Sequence, residues 1–182
     1  MREVDRPLPG MRVFDLEPRQ DERGSFTRLF CRATLAELGF EGGAAQSNLS
    51  RSVRAGTLRG LHYQLGDAAE TKLVTVVAGT VCDVVLDLRP YSPSFGRHVA
   101  LHLDAALPQA VLIPAGCAHG FLTTKDATTL LYFTSHPHAP VLERGVRWDD
   151  PAFRIAWPED PVVLSQKDRA LPDFDPRWHL AA

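Results

Sequence analysis

Short apolar runs, broken by glycine and proline, follow one another through the middle of the chain. The longest is KLVTVVAGTVCDVVLDLRP (72–90), rich in valine and interrupted at Gly79. It predicts two strands around a tight turn. HVALHL, QAVLIP, HGFLTT and TTLLYFTS carry the same pattern as far as residue 135. Upstream, MRVFDLEP (11–18) reads as a first strand, DERGS (21–25) as a turn and FTRLF (26–30) as a second strand. AAQSNLSRS (44–52) and GTLRGLHYQL (56–65) read as further strands. RATLAELGF (32–40) is the best helical candidate, with Gly39 as its stop. Strands at such short intervals, with almost no helix, predict an all-β sandwich or barrel. After RGVRWDDP (144–151) the chain becomes irregular, rich in prolines, aromatics and charges. Such a tail wraps the domain or carries site residues on loops.

Composition narrows the picture without changing it. The 182 residues suit one sizeable core, and the 45% hydrophobic and 23% charged content is ordinary for a globular chain. A net charge of -2 gives no global pull toward nucleic acid or an anionic membrane. The opening MREVDRPLPG lacks the apolar stretch of a signal peptide, and no apolar run reaches membrane-spanning length. Cys31, Cys82 and Cys117 are few, odd in number and far apart, which suits neither a disulfide framework nor a zinc knuckle. The expected compartment is the reducing cytoplasm.

The candidate chemistry centres on RGLHYQL (59–65). In a regular strand His62 and Gln64 share a face with Leu58, while Arg59 points the other way. Gly60 between them marks a bulge or a close backbone approach. Taken alone, His62 reads first as a half-buried hydrogen-bonded strand residue, with a metal ligand or a base as the rival readings. Lys72 opens a strand and reads as a solvated strand end or a charged site group. In PAGCAHGF (114–121) a Pro-Gly turn leads to His119, with Phe121 on the same face. Tyr132 lies in TTLLYFTS and Asp168 in LSQKD of the irregular tail. Dinucleotide, P-loop and G-x-S-x-G signatures are absent from the sequence. A metal site of His62, Glu70 and His119 follows the loose spacing of metal-binding cupins. Gln64 stands where that pattern has its second histidine, and a neutral amide is a weak ligand.

Taken in order, DERGSF, QSNLS, GTLRGLHYQ, KLV, DVVLDLRPYSPSFG, IPAGCAHGF, RGVRWDDP, WP and LSQKD resemble the nucleotide-sugar 3,5-epimerases typified by dTDP-4-dehydrorhamnose 3,5-epimerase. The resemblance runs from about residue 10 to 170. It implies a cupin-like jelly roll with a few short helices, one domain over 1–182 with its irregular tail from about 150. It implies a cofactor-independent, metal-free epimerase acting on an NDP-4-keto-6-deoxyhexose, with dTDP as the nucleotide, in a homodimer. His62 would be the base, Asp168 its orienter, Tyr132 the acid on the opposite face and Lys72 the enolate-stabilising charge. His119 and His138 would approach the sugar. Arg59 and Arg23 would grip the diphosphate, and Gln46, Asn48 and Phe26 would contact the nucleotide. The chain departs from the family's pattern at Arg28, where a glutamate is usual near the base or ribose, and at His138, where a tyrosine is usual. A single-centre epimerase keeps the same residues; a metal-dependent cupin oxygenase and a non-catalytic sugar-nucleotide binder are the alternatives from other classes. If Arg59 is to share the site with His62, the strand must be irregular near Gly60, or Arg59 must reach in around an edge.

Overall fold

The computed structural model describes residues 1–40 and 43–181. Its valine-rich centre forms β7 (Lys72–Ala78) and β8 (Thr80–Asp87), joined at Gly79. Gly79 has φ +76°, and a side chain there would run into Thr128. The other strands are β1 (Arg2–Asp5), β2 (Arg12–Asp15), β3 (Arg19–Asp21), β4 (Gly24–Phe26), β5 (Gln46–Ser52), β6 (Leu58–Gln64), β9 (His98–Asp104), β10 (Gln109–Ile113), β11 (Cys117–Thr123), β12 (Thr128–Thr134) and β13 (Glu143–Gly145). Helices are short: α1 (Arg32–Ala36), α2 (Gln166–Arg169) and α3 (Pro176–His179).

The strands assemble as a six-stranded sheet, β1-β2-β10-β7-β12-β5, and a five-stranded sheet, β13-β6-β11-β8-β9, with β3-β4 as a separate hairpin. This is an all-β, cupin-like jelly roll. Alternation sorts the side chains into three apolar layers. Val74, Val76, Val81, Val85, Val111, Phe121 and Leu130 come from both sheets and pack between them. On the outer face of the five-stranded sheet, Leu61, Tyr63, Val84 and Leu86 are clad by Val146, Phe153 and Trp157 of the tail. On the outer face of the six-stranded sheet, Phe14, Leu73 and Leu112 lie under Leu35 and Phe40 of the α1 segment. Both faces of the central strands are therefore covered, which is why their sequences read as unbroken apolar runs.

Two sequence expectations shift. The strand expected over 26–30 is replaced by the β3–β4 hairpin, and residues 27–31 are not strand. Leu29 and Phe30 leave the extended ladder because they pack beside Phe40 and Phe133 under α1. The helix expected over 32–40 stops at Ala36, and Gly39 with φ +95° turns the chain back. No helix among the described residues is long and apolar enough to cross a membrane.

Candidate active site

A cavity of about 740 Å³ opens between the two sheets, with residues of β5, β6, β7, β11 and β12 and of the 163–168 segment in its walls. Phe121 and Leu130 belong to both the core and the cavity lining, so packed apolar side chains make its floor.

β6 supplies one wall, and it is irregular where it meets β11. His62 faces His119 and Arg59 faces Phe121, so three steps along β6 span two along β11. That one-residue slip is a bulge, and it reverses the strand's parity. Arg59 and His62 consequently line the same cavity, by the first of the two routes the sequence left open, an irregular strand near Gly60. Gly60 has φ +109°, and a Cβ there would lie 2.6 Å from the His119 carbonyl oxygen, so only glycine fits. The Gly60–Leu61 peptide is cis. Arg59 is tethered at the rim, its Nη2 donating to the Arg51 carbonyl at 3.1 Å.

The tail brings Asp168 to His62. A parallel bridge joins Thr57 to Val163, and the Leu58 N–H donates to the Val163 carbonyl at 2.9 Å. The chain then enters α2, where the Ser165 hydroxyl caps the Asp168 N–H at 3.0 Å. Asp168, 4% exposed, accepts from His62 Nε2 at 2.7 Å across 106 residues of sequence. Burial alone would raise its carboxyl. The His62 hydrogen bond and charge, with Ser165 and the Gly60 N–H, outweigh burial and hold it below the usual carboxylate range. With Nε2–H given to Asp168, the neutral form of the imidazole carries its lone pair on Nδ1.

The opposite wall belongs to the six-stranded sheet. Lys72 Nζ donates to the His62 carbonyl at 3.0 Å and forms an ion pair with Glu70 at 3.2 Å. Tyr132 stands on the neighbouring strand, and its hydroxyl has no hydrogen-bond partner among the described residues. Burial and the nearby Glu70 carboxylate push the phenol above its ordinary value, against Arg59, so it stays protonated. A second histidine–carboxylate pair stands beside the first: His119 Nε2 meets Asp83 Oδ1 at 2.7 Å. Asp83 is fully buried and its Oδ2 lacks a partner.

His62, Asp168, Tyr132, Lys72, Arg59, Gln46, Asn48, His119 and His138 thus share one cavity. Arg23, Phe26 and Arg28 do not line it. Arg23 and Phe26 lie on the β3–β4 hairpin, where Arg23 pairs with Asp21 and Phe26 is 65% exposed, and Arg28 follows on the exposed chain beyond. The structure adds residues that the motifs did not single out: Ser165, Asp83, Glu143 and Lys167. The first was legible, since Ser165-x-x-Asp168 is a helix-capping spacing. The three side chains of the metal alternative are each engaged elsewhere: His62 on Asp168, His119 on Asp83, and Glu70 on Lys72 and Gln64. Gln64 is a brace instead, donating to the Ala68 and Pro137 carbonyls and accepting the Ala139 N–H. Among the described residues, no group of three or more His, Cys, Asp or Glu converges as a metal site would require.

Comparison with known proteins agrees with this geometry. The family described as dTDP-4-dehydrorhamnose 3,5-epimerase matches residues 5–176. The dTDP-4-dehydrorhamnose 3,5-epimerase of Shigella flexneri is 38% identical over 169 residues, covering 92% of this chain and 93% of that protein. The crystal structure of the Bacillus anthracis dTDP-4-dehydrorhamnose 3,5-epimerase, with TDP and PPi bound, superposes with a TM-score of 0.90. It shares 35% identity and is covered to 99%, against 95% of this chain. A 3'-monoepimerase from Streptomyces bikiniensis in complex with dTDP-quinovose reaches a TM-score of 0.84 at 33% identity, covering 95% of this chain and 87% of that one.

Proposed function

The chain belongs to the dTDP-4-dehydrorhamnose 3,5-epimerase family, and on that premise we propose that its cavity inverts C3 and C5 of a dTDP-4-keto-6-deoxyhexose. It is an isomerase of deoxysugar biosynthesis. The observation that carries the finer reading is the placement of the His62–Asp168 pair and Tyr132 on facing walls, with Lys72 on the strand beside Tyr132.

The ketone at C4 makes the hydrogens at C3 and C5 acidic. His62 takes one of them through Nδ1, and the electron pair moves into the ring to form an enolate with its charge on the C4 oxygen. Asp168 steadies the imidazolium that results. Lys72 meets the enolate oxygen with its positive charge in a site partly shielded from water. Tyr132 returns a proton from the opposite wall, which reverses the centre. A positioned acid and base are each worth about 10²–10⁴-fold. Arg59 at the rim suits the diphosphate, while Gln46 and Asn48 on β5 suit the nucleoside, and His119 and His138 approach the sugar.

The β3–β4 hairpin supports a homodimer in which Arg23, Phe26 and Arg28 complete the site of a second copy. Leu49 and Val77, exposed on the outer face of the six-stranded sheet, give that copy an apolar surface to cover. Free thiols at Cys31, Cys82 and Cys117 suit a reducing compartment, the cytoplasm. The test of function is wash-in of solvent deuterium at C3 and C5 of a dTDP-4-keto-6-deoxy sugar. Exchange at neither carbon defeats the proposal. A second reading, inversion at C3 alone, is favoured by the likeness to the 3'-monoepimerase, and exchange confined to C3 would establish it.

A further inference from the structure

Glu70 sits at the wall of the cavity with its side chain only 9% exposed, and both of its carboxylate oxygens are engaged. One faces Lys72 Nζ at 3.2 Å, and the other accepts from Gln64 Nε2 at 3.0 Å. Gln64 is itself fixed by the Ala68 and Pro137 carbonyls and by the Ala139 N–H. The carboxylate is therefore held from behind by backbone rather than free to follow the lysine. Lysine has four rotatable carbons and three ammonium hydrogens, so its direction must be imposed from outside. Here the His62 carbonyl takes one hydrogen and Glu70 attracts a second. One remains for the cavity.

We propose that Glu70 is a positioning residue for Lys72, which, together with the His62 carbonyl, turns the third ammonium hydrogen toward the C4 oxygen of the substrate. The inference rests on the reading of Lys72 as the group that meets the enolate. It gives a buried acid beside a buried lysine a task other than metal ligation, and it ties the 137–139 segment to the catalytic geometry through Gln64.

The test is a double-mutant cycle on the full-length enzyme with a dTDP-4-keto-6-deoxy sugar, measuring kcat and KM for Glu70→Ala, Lys72→Ala and both together. Each single change should lower kcat on the order of 10²-fold with little change in KM, since a displaced charge is lost chiefly in the transition state. The double variant should be no slower than Lys72→Ala, because Glu70 acts through the lysine. A Glu70→Ala cost that is the same with and without Lys72 overturns the proposal and leaves the reading of Lys72 standing. Full turnover by Lys72→Ala overturns that reading and this proposal with it. Should Glu70→Ala not fold, Glu70→Asp keeps the carboxylate but withdraws it by one methylene. It should slow the wild-type background and not the Lys72→Ala background, and the reverse again overturns the proposal.

Discussion

Asp168→Asn is the sharpest probe of the His62–Asp168 pair. The substitution keeps the shape of the side chain and removes its charge. The wild-type carboxylate is 4% exposed and lies 2.7 Å from His62 Nε2, so water cannot replace it. A hydrogen bond to a charged partner is worth about 1.5–3 kcal/mol. On the proposed mechanism that amount is needed most when His62 carries the substrate's proton, so it appears in the barrier. At 1.36 kcal/mol per decade it corresponds to a fall in kcat of about 10- to 150-fold. Initial rates of deuterium wash-in at C3 and C5, with substrate in excess, measure this directly. Both carbons should slow by the same factor if one base serves both. The same variant has a stability signature. The Asp168 carboxyl in the fold titrates below its ordinary 3.8, so its contribution is complete above that value and fades as pH falls through the folded one. Urea unfolding should therefore show the wild type gaining on Asp168→Asn from acid to neutral pH, with the gap closing below about pH 4. An Asp168→Asn enzyme with wild-type exchange rates would refute the pairing as a catalytic unit.

Other outcomes follow from neighbouring features. Tyr132→Phe should retain exchange at His62's face but yield little inverted product, read by NMR of the sugar. Because the Glu70 charge helps to hold the Tyr132 phenol protonated, alongside burial and against Arg59, Glu70→Gln should move the basic limb of the rate–pH profile to lower pH; a limb that stays put breaks that link. Gly60→Ala places a side chain at φ +109° against the His119 carbonyl and should cost about 2–3 kcal/mol, seen as a melting temperature lower by about 5–10 °C. In mixed dimers, Arg23→Ala subunits combined with His62→Ala subunits should recover activity if the hairpin serves the partner's site, and activity that stays lost would assign Arg23 no such role.

The strands of the centre were legible because both faces of the sheets are covered, so valine runs survive at inward and outward positions alike. β13 has three residues and α2 four, too short to leave a period; they exist because Gly145 pairs with His62 and Ser165 caps Asp168. The 26–30 stretch looked like a strand since Leu29 and Phe30 are apolar, yet their partners are aromatic rings under α1. In the site, Gly60 suggested a bulge or a close backbone approach, and the resemblance that put Arg59 beside His62 left an irregular strand or a route around an edge open; the register shift shows the irregular strand. The meeting of His62 with Asp168 did not follow from periodicity. Only the resemblance of LSQKD to its family counterpart pointed there, since a contact across 106 residues leaves no local mark. Glu70 was visible but read as a candidate ligand, because its place between His62 and His119 loosely follows the spacing of metal-binding cupins, and nothing in that spacing says that it faces Lys72.

That same separation sets a schedule for biosynthesis. At a translation rate of about 5–20 residues per second, Asp168 is made about 5–20 s after His62. By the end of that interval the nascent chain holds His62, Lys72 and Tyr132 but not yet the carboxylate that meets His62. A chain that ends within it lacks the His62–Asp168 contact altogether. The cavity wall is complete only when the 163–168 segment has docked beside Thr57.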